Sequence, residues 1–274
     1  MKRDWAWWLA IFFLAVFVYR TVVRELTYPL LPLPDVPGGM YGLTLFLMLS
    51  SFFHAWYTLG WRHTLILFVL SAAISWGYEQ VGVGTGLIYG SYYYTDRLGP
   101  KLGHVPLLIP LAWFMMNYPS YIMANLIADG RPLSDQGHAR GGVGRIIWLS
   151  FLGAMIMTAW DLVVDPMFSG PQINAWVWKL GGPYFGIPAQ NYAGWLLTTF
   201  TVFLLYRLIE HKLPERPTSP VTTLVAALPL MIYGSQMLAN TIHGTPEAMR
   251  VIAPFVMGLP LIIAFDQLFK FSTG

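Results

Sequence analysis

Two carboxylates four residues apart close an apolar run. In "TAWDLVVDPMF" they are Asp161 and Asp165, and the run before them, "IIWLSFLGAMIM", is apolar enough to lie in a membrane. On a continuing helix, residues i and i+4 share a face. Two carboxylates so placed in a low dielectric resist ionising together, and a proton held between them makes a general acid. An ionisable residue within a membrane segment is a functional candidate by default, because hydrocarbon disfavours its charge. The same two side chains would also serve as backbone caps or as partners of Lys179 or Arg97. Pro166 is expected to end the helix and leave Asp165 at its mouth.

A third carboxylate, Glu79, opens a connection rich in glycine and tyrosine, "EQVGVGTGLIYGSYYYTDRLGPKLGHVP". Gly82, Gly84, Gly86 and Gly90 make that backbone permissive, as a tight or re-entrant path requires. Gly82-x-Gly84 has no strand before it and no βαβ unit around it, so it is not a dinucleotide fingerprint. Tyr89 and Tyr92 to Tyr94 fit an interfacial aromatic belt, or the lining of a substrate site beside Glu79.

Helices must position these groups. Of 274 residues, 56% are hydrophobic and 11% charged, where a soluble domain carries about a quarter charged. Mean hydropathy is +0.54. An all-α, polytopic integral membrane bundle follows, organised as one domain over 1–274, with two long Gly/aromatic-rich connections at one face. About eight spans are read near 5–23, 41–60, 62–79, 105–127, 145–164, 191–209, 221–242 and 250–270. The first is taken as an uncleaved span, since its apolar part is long and no small-residue cleavage site follows. Glu79 ends the third span and the aspartate pair ends the fifth. Odd-numbered helices run the same way, so the three carboxylates are expected at one membrane face. Asn117, Asn125 and Gln236 read as bonding between helices.

Lys and Arg divide ten to six in favour of the side holding both termini, a count that includes Lys2, Arg3, Arg140 and Arg216. The positive-inside rule then makes both termini cytoplasmic, in the cell membrane. The basic residues sit at span ends and imply no nucleic-acid partner. With no cysteine, disulfides, thiolate metal sites and thiolate nucleophiles are excluded. His54, His63, His104, His138, His211 and His243 show no HxxxH or HxxHH spacing, so no metal site is expected.

The segment WD-x3-DP, followed by "AWVWKLGGPYFGIPAQNYAGW", resembles the family of integral-membrane carotenoid biosynthesis proteins that includes the CruF-type carotenoid hydratases. The Glu79 connection resembles the same family's first polar block, and the two blocks cover roughly the middle half of the chain. The resemblance implies addition of water to the terminal double bond of an acyclic carotenoid end, with Glu79, Asp161, Asp165 and Asn191 as catalytic residues of unassigned roles. The alkene needs a proton donor, a route through a tertiary carbocation and a water, and no redox cofactor. Aromatic faces stabilise such a cation by about 0.5–2 kcal/mol each. Trp113, Trp160, Trp176, Trp178, Tyr184, Trp195 and Tyr89 are the candidates for holding the substrate. A carotenoid dissolves in the bilayer, so entry is expected sideways from lipid, through Tyr89–Tyr94 or Trp176–Trp178. The alternatives are a proton- or cation-coupled transporter, or another carotenoid enzyme such as an isomerase, desaturase or cyclase.

Overall fold

Lipid offers the backbone no hydrogen-bonding partner, so an apolar stretch of ~20 residues satisfies itself as a helix. The computed structural model describes residues 4–28, 30–133, 142–210, 212–213 and 221–273. Lys2, Arg3, His138, Arg140, His211 and Arg216, used above, lie outside the described residues. The first rod joins α1 (Asp4–Val18), a π-helical turn (Tyr19–Val23) and α2 (Arg24–Thr27). Then come α3 (Gly39–Leu59), α4 (Trp61–Thr85) and the short strands β1 (Tyr92–Tyr94), β2 (Lys101–Leu102) and β3 (Val105–Pro106). α5 (Leu108–Asp129), α6 (Gly142–Ser169), β4 (Trp176–Trp178) and α7 (Ala189–Glu210) follow. α8 (Thr223–His243), α9 (Ala248–Val256) and α10 (Gly258–Thr273) complete the chain, the last two forming one broken rod.

Among the described residues, seven helical segments are long and apolar enough to cross a membrane. The protein is a polytopic helical membrane protein. α5 is as long as its neighbours but is not one of these seven, and it carries Asn117, Pro119, Ser120 and Asn125, all buried. It packs against α3, α4, α6, α8 and α10. A helix surrounded by protein tolerates polar groups that find partners across the interface. Asn117 Nδ2 donates to Ser71 Oγ at 3.1 Å, and Ser51 Oγ donates to the Met115 carbonyl at 2.8 Å. The Tyr118 hydroxyl lies 2.6 Å from His54 Nδ1 and 2.9 Å from Thr58 Oγ1. Asn125 accepts from Arg207 Nη2 at 2.9 Å.

Two helices run further than the sequence reading placed them. α4 continues past Glu79 to Thr85, where Gly86, at φ +73°, supplies the left-handed residue that ends it. α6 passes through Pro166 to Ser169, so Asp165 lies inside the helix rather than at its mouth. Proline has no N–H to offer the carbonyl four residues back, here that of Leu162. The Tyr184 hydroxyl donates to that carbonyl at 3.0 Å instead. Tyr184→Phe is therefore expected to cost about 1 kcal/mol of stability, and clearly less in a Pro166→Ala background, where the backbone N–H returns. Thermal unfolding in detergent checks this; equal losses in both backgrounds would refute the link.

The two long connections meet. β1 pairs antiparallel with β4 in the register Tyr92↔Trp178, Tyr93↔Val177, Tyr94↔Trp176. Thr95 N–H to the Ala175 carbonyl (3.0 Å) and Lys179 N–H to the Ser91 carbonyl (2.9 Å) extend the ladder. Alternation along β1 buries Tyr92 and Tyr94 and leaves Tyr93 exposed. Cross-strand ring pairs, Tyr92 with Trp178 at 4.9 Å and Tyr94 with Trp176 at 6.0 Å, fasten the ladder.

Candidate active site

α6 carries Asp161 and Asp165 one turn apart, each 1% exposed. Asn191, in the first turn of α7, meets both. Its Nδ2 donates to Asp161 Oδ2 at 3.0 Å and to Asp165 Oδ2 at 2.7 Å. One amide nitrogen has two hydrogens, enough for both carboxylates. Asp165 receives two more donors, because residues i and i+2 of β4 share a face. Trp176 Nε1 at 2.7 Å and Trp178 Nε1 at 3.3 Å both donate to its Oδ1. The caps or ion pairs with Lys179 or Arg97 are replaced by neutral N–H donors among the described residues.

Glu79 joins from α4, also buried. Its Oε2 accepts from the Tyr92 hydroxyl and, at 2.9 Å, from the Tyr94 hydroxyl. Burial, and then the charge of Glu79, push both phenols well above their ordinary range, so both remain donors. The Tyr89 hydroxyl lies 2.7 Å from Thr198 Oγ1. Its ring is clamped between α4 and α7: a Cβ on Gly82 would fall 2.6 Å from one ring carbon, and one on Gly194 2.5 Å from another. Only glycine lets both helices close on that ring.

Glu79, Asp161, Asp165 and Asn191 line one cavity of about 450 Å³, a volume suited to a small-molecule site. Its walls are aromatic. Trp113 stacks on Trp195 at 3.9 Å, and Trp160 meets Trp195 edge-on at 5.9 Å. Tyr89, Trp176 and Trp178 also line it. Tyr184 is not among them: its hydroxyl is turned to the carbonyl that Pro166 leaves free.

The exposed rim of the cavity lies away from the two aromatic strands. Tyr89, Tyr92 and Tyr94 are buried, and pairing of β1 with β4 closes that side. The exposed lining residues are Gly39 and His243, which put the mouth between the start of α3 and the end of α8. The first rod contributes Phe17, Arg20, Thr21 and Glu25, and α8 contributes Gln236 and Asn240. The sequence reading did not place these residues in the site. The readable sign was the i, i+4, i+7 spacing of Gln236, Asn240 and His243. Asp266 is not on the lining; it pairs with Lys270 at 2.5 Å.

A family model described as "Carotenoid biosynthesis protein" matches residues 39–265. The chain belongs to that family. The carotenoid biosynthesis match takes in every carboxylate, amide and aromatic side chain predicted for the site, while the first rod lies before it. A bisanhydrobacterioruberin hydratase of Haloarcula japonica is similar, with 35% identity over 133 residues, 48% of this chain and 41% of that protein. The match thus spans less than half of the relative's length. No solved structure matches the chain.

Proposed function

We propose that the protein hydrates the terminal, 1,2-type double bond of an acyclic carotenoid end group by acid catalysis. The observation that carries this reading is the buried pair Asp161 and Asp165, bridged by Asn191, in an aromatic-walled cavity. The named activity of the partial relative supports it. Asp161, which accepts from Asn191 alone among the described residues, delivers the proton. The proton bonds to the less substituted alkene carbon, and the π electrons leave a tertiary carbocation. Trp113, Trp160 and Trp195 offer their ring faces to that cation. Asp165, held by three N–H donors, orients a water whose oxygen bonds to the cation. Its carboxylate takes the proton the water releases, and transfer back within the pair restores Asp161. The product is a tertiary alcohol, and no electrons change hands.

Glu79, fixed by two tyrosine hydroxyls, supports the pair from the same cavity. The substrate comes from the bilayer, and only its end enters, since a carotenoid is about as long as the ~30 Å hydrocarbon core. With both termini cytoplasmic, the mouth opens at the outer face of the cell membrane. The test is expression in a lycopene-producing host. Pigments that gain the mass of one water are the expected result; unchanged pigments alongside normally inserted protein would remove the hydratase reading.

A further inference from the structure

The acid cluster is one polar pole of the cavity, and α8 supplies another. Gln236, Asn240 and His243 all line the cavity, spaced so that they share one helix face. At 1.5 Å per residue the stripe is about 10 Å long. It begins at the exposed His243. It ends at Gln236, whose Oε1 accepts from Trp160 Nε1 at 3.3 Å, and Trp160 directly precedes Asp161. The stripe and the acid pair line the same cavity.

Most polar groups at this end are already engaged. Arg20 Nε meets Asp35 at 2.5 Å, and Glu25 meets Arg24 at 2.8 Å. Thr21 Oγ1 donates to the Phe17 carbonyl at 2.8 Å. His243 Nε2 donates to the Thr21 carbonyl at 2.9 Å. Asn240 differs. It is 2% exposed, and its Nδ2 donates to the Gln236 carbonyl at 2.8 Å. Its Oδ1 is buried with no partner among the described residues. Turning the amide round would set oxygen against the Gln236 carbonyl, so the unmatched group is an acceptor. A buried acceptor without a donor is unfavourable, and an O–H inside the cavity would satisfy it.

We propose that Gln236, Asn240 and His243 form a hydroxyl-binding subsite that holds the water consumed in the reaction and passes it to Asp165. This rests on the hydratase reading above. An apolar, aromatic cavity gives water few resting places, and a buried water needs two to four polar partners. The stripe provides them, starting where the cavity meets the aqueous rim. A hydroxyl already present on a carotenoid has the same chemistry, so the test must separate the two sources.

Asn240→Thr and Asn240→Val have side chains of one shape, and only threonine keeps an oxygen. A helical threonine can donate to the carbonyl four residues back and still accept from water. Hydration is measured for the full-length protein, parent and both variants, with two substrates: an end group without any hydroxyl, and a carotenoid already hydroxylated at its other end. The expected result is that the valine variant loses at least tenfold in kcat on both substrates with KM unchanged, while the threonine variant stays within threefold of the parent. Loss confined to the hydroxylated substrate, through KM, would replace water with a substrate hydroxyl and overturn the water assignment. Equal rates for the two variants would overturn the subsite itself. A parent that hydrates neither substrate would defeat the hydratase reading instead, and the two failures are thereby distinct.

Discussion

Asp161→Asn is expected to abolish hydration while the protein still folds and inserts. Asparagine keeps the size of the side chain and its capacity for hydrogen bonds, but it has no acidic proton to deliver. Proton transfer by a placed acid contributes about 10²–10⁴ in rate, so the yield of alcohol should fall by that order. Heavy water adds a sharper readout. Without the donor no carbocation forms, and the recovered carotenoid should carry no deuterium at its end group. Chromatography of pigments and mass spectrometry, with membrane expression measured alongside, decide the outcome. A double Asn variant at positions 161 and 165 that still makes the alcohol near the parent yield would place the acid elsewhere, with Glu79 next in line.

Asp165→Asn should be as damaging to product but different in kind. The donor at Asp161 remains, so the end group can still be protonated. What is lost is the carboxylate that orients the water and takes its proton, along with the Oδ2 acceptor for Asn191, while the remaining amide oxygen still accepts from Trp176 and Trp178. The cation then returns its proton to Asp161. The expected result is alcohol reduced by about 100-fold or more, with deuterium from heavy water accumulating in recovered substrate. If this variant and Asp161→Asn both leave the substrate free of deuterium, the division of roles is wrong, even though both residues matter.

The sequence made some of this legible and hid the rest, for physical reasons. Apolar windows report helices because lipid leaves the backbone no other choice, and the i,i+4 spacing of Asp161 and Asp165 is a local property that survives folding. Asn191 was reached only through its motif, and its bridging geometry needs two helices brought together. The ladder between Tyr92–Tyr94 and Trp176–Trp178 was not readable, because three-residue strands are too short to show a period of two. The course of α6 through Pro166 depended on a tyrosine eighteen residues further on. The mouth at α8 was missed because a polar stripe on a membrane helix looks the same whether it bonds a neighbour or lines a cavity.

The polar character of α5 has a consequence for how the molecule is made. A segment carrying Asn117, Ser120 and Asn125 is expected to enter the bilayer in company, with α4 offering Ser71 to Asn117. Should the emerging chain fail at that step, α6 would thread in the reverse sense. Asp161 and Asp165 would then emerge on the face opposite Glu79, in a protein with nearly all its apolar segments inserted and its acid cluster divided. Insertion of α5 is thus expected to decide whether the carboxylates ever share a compartment.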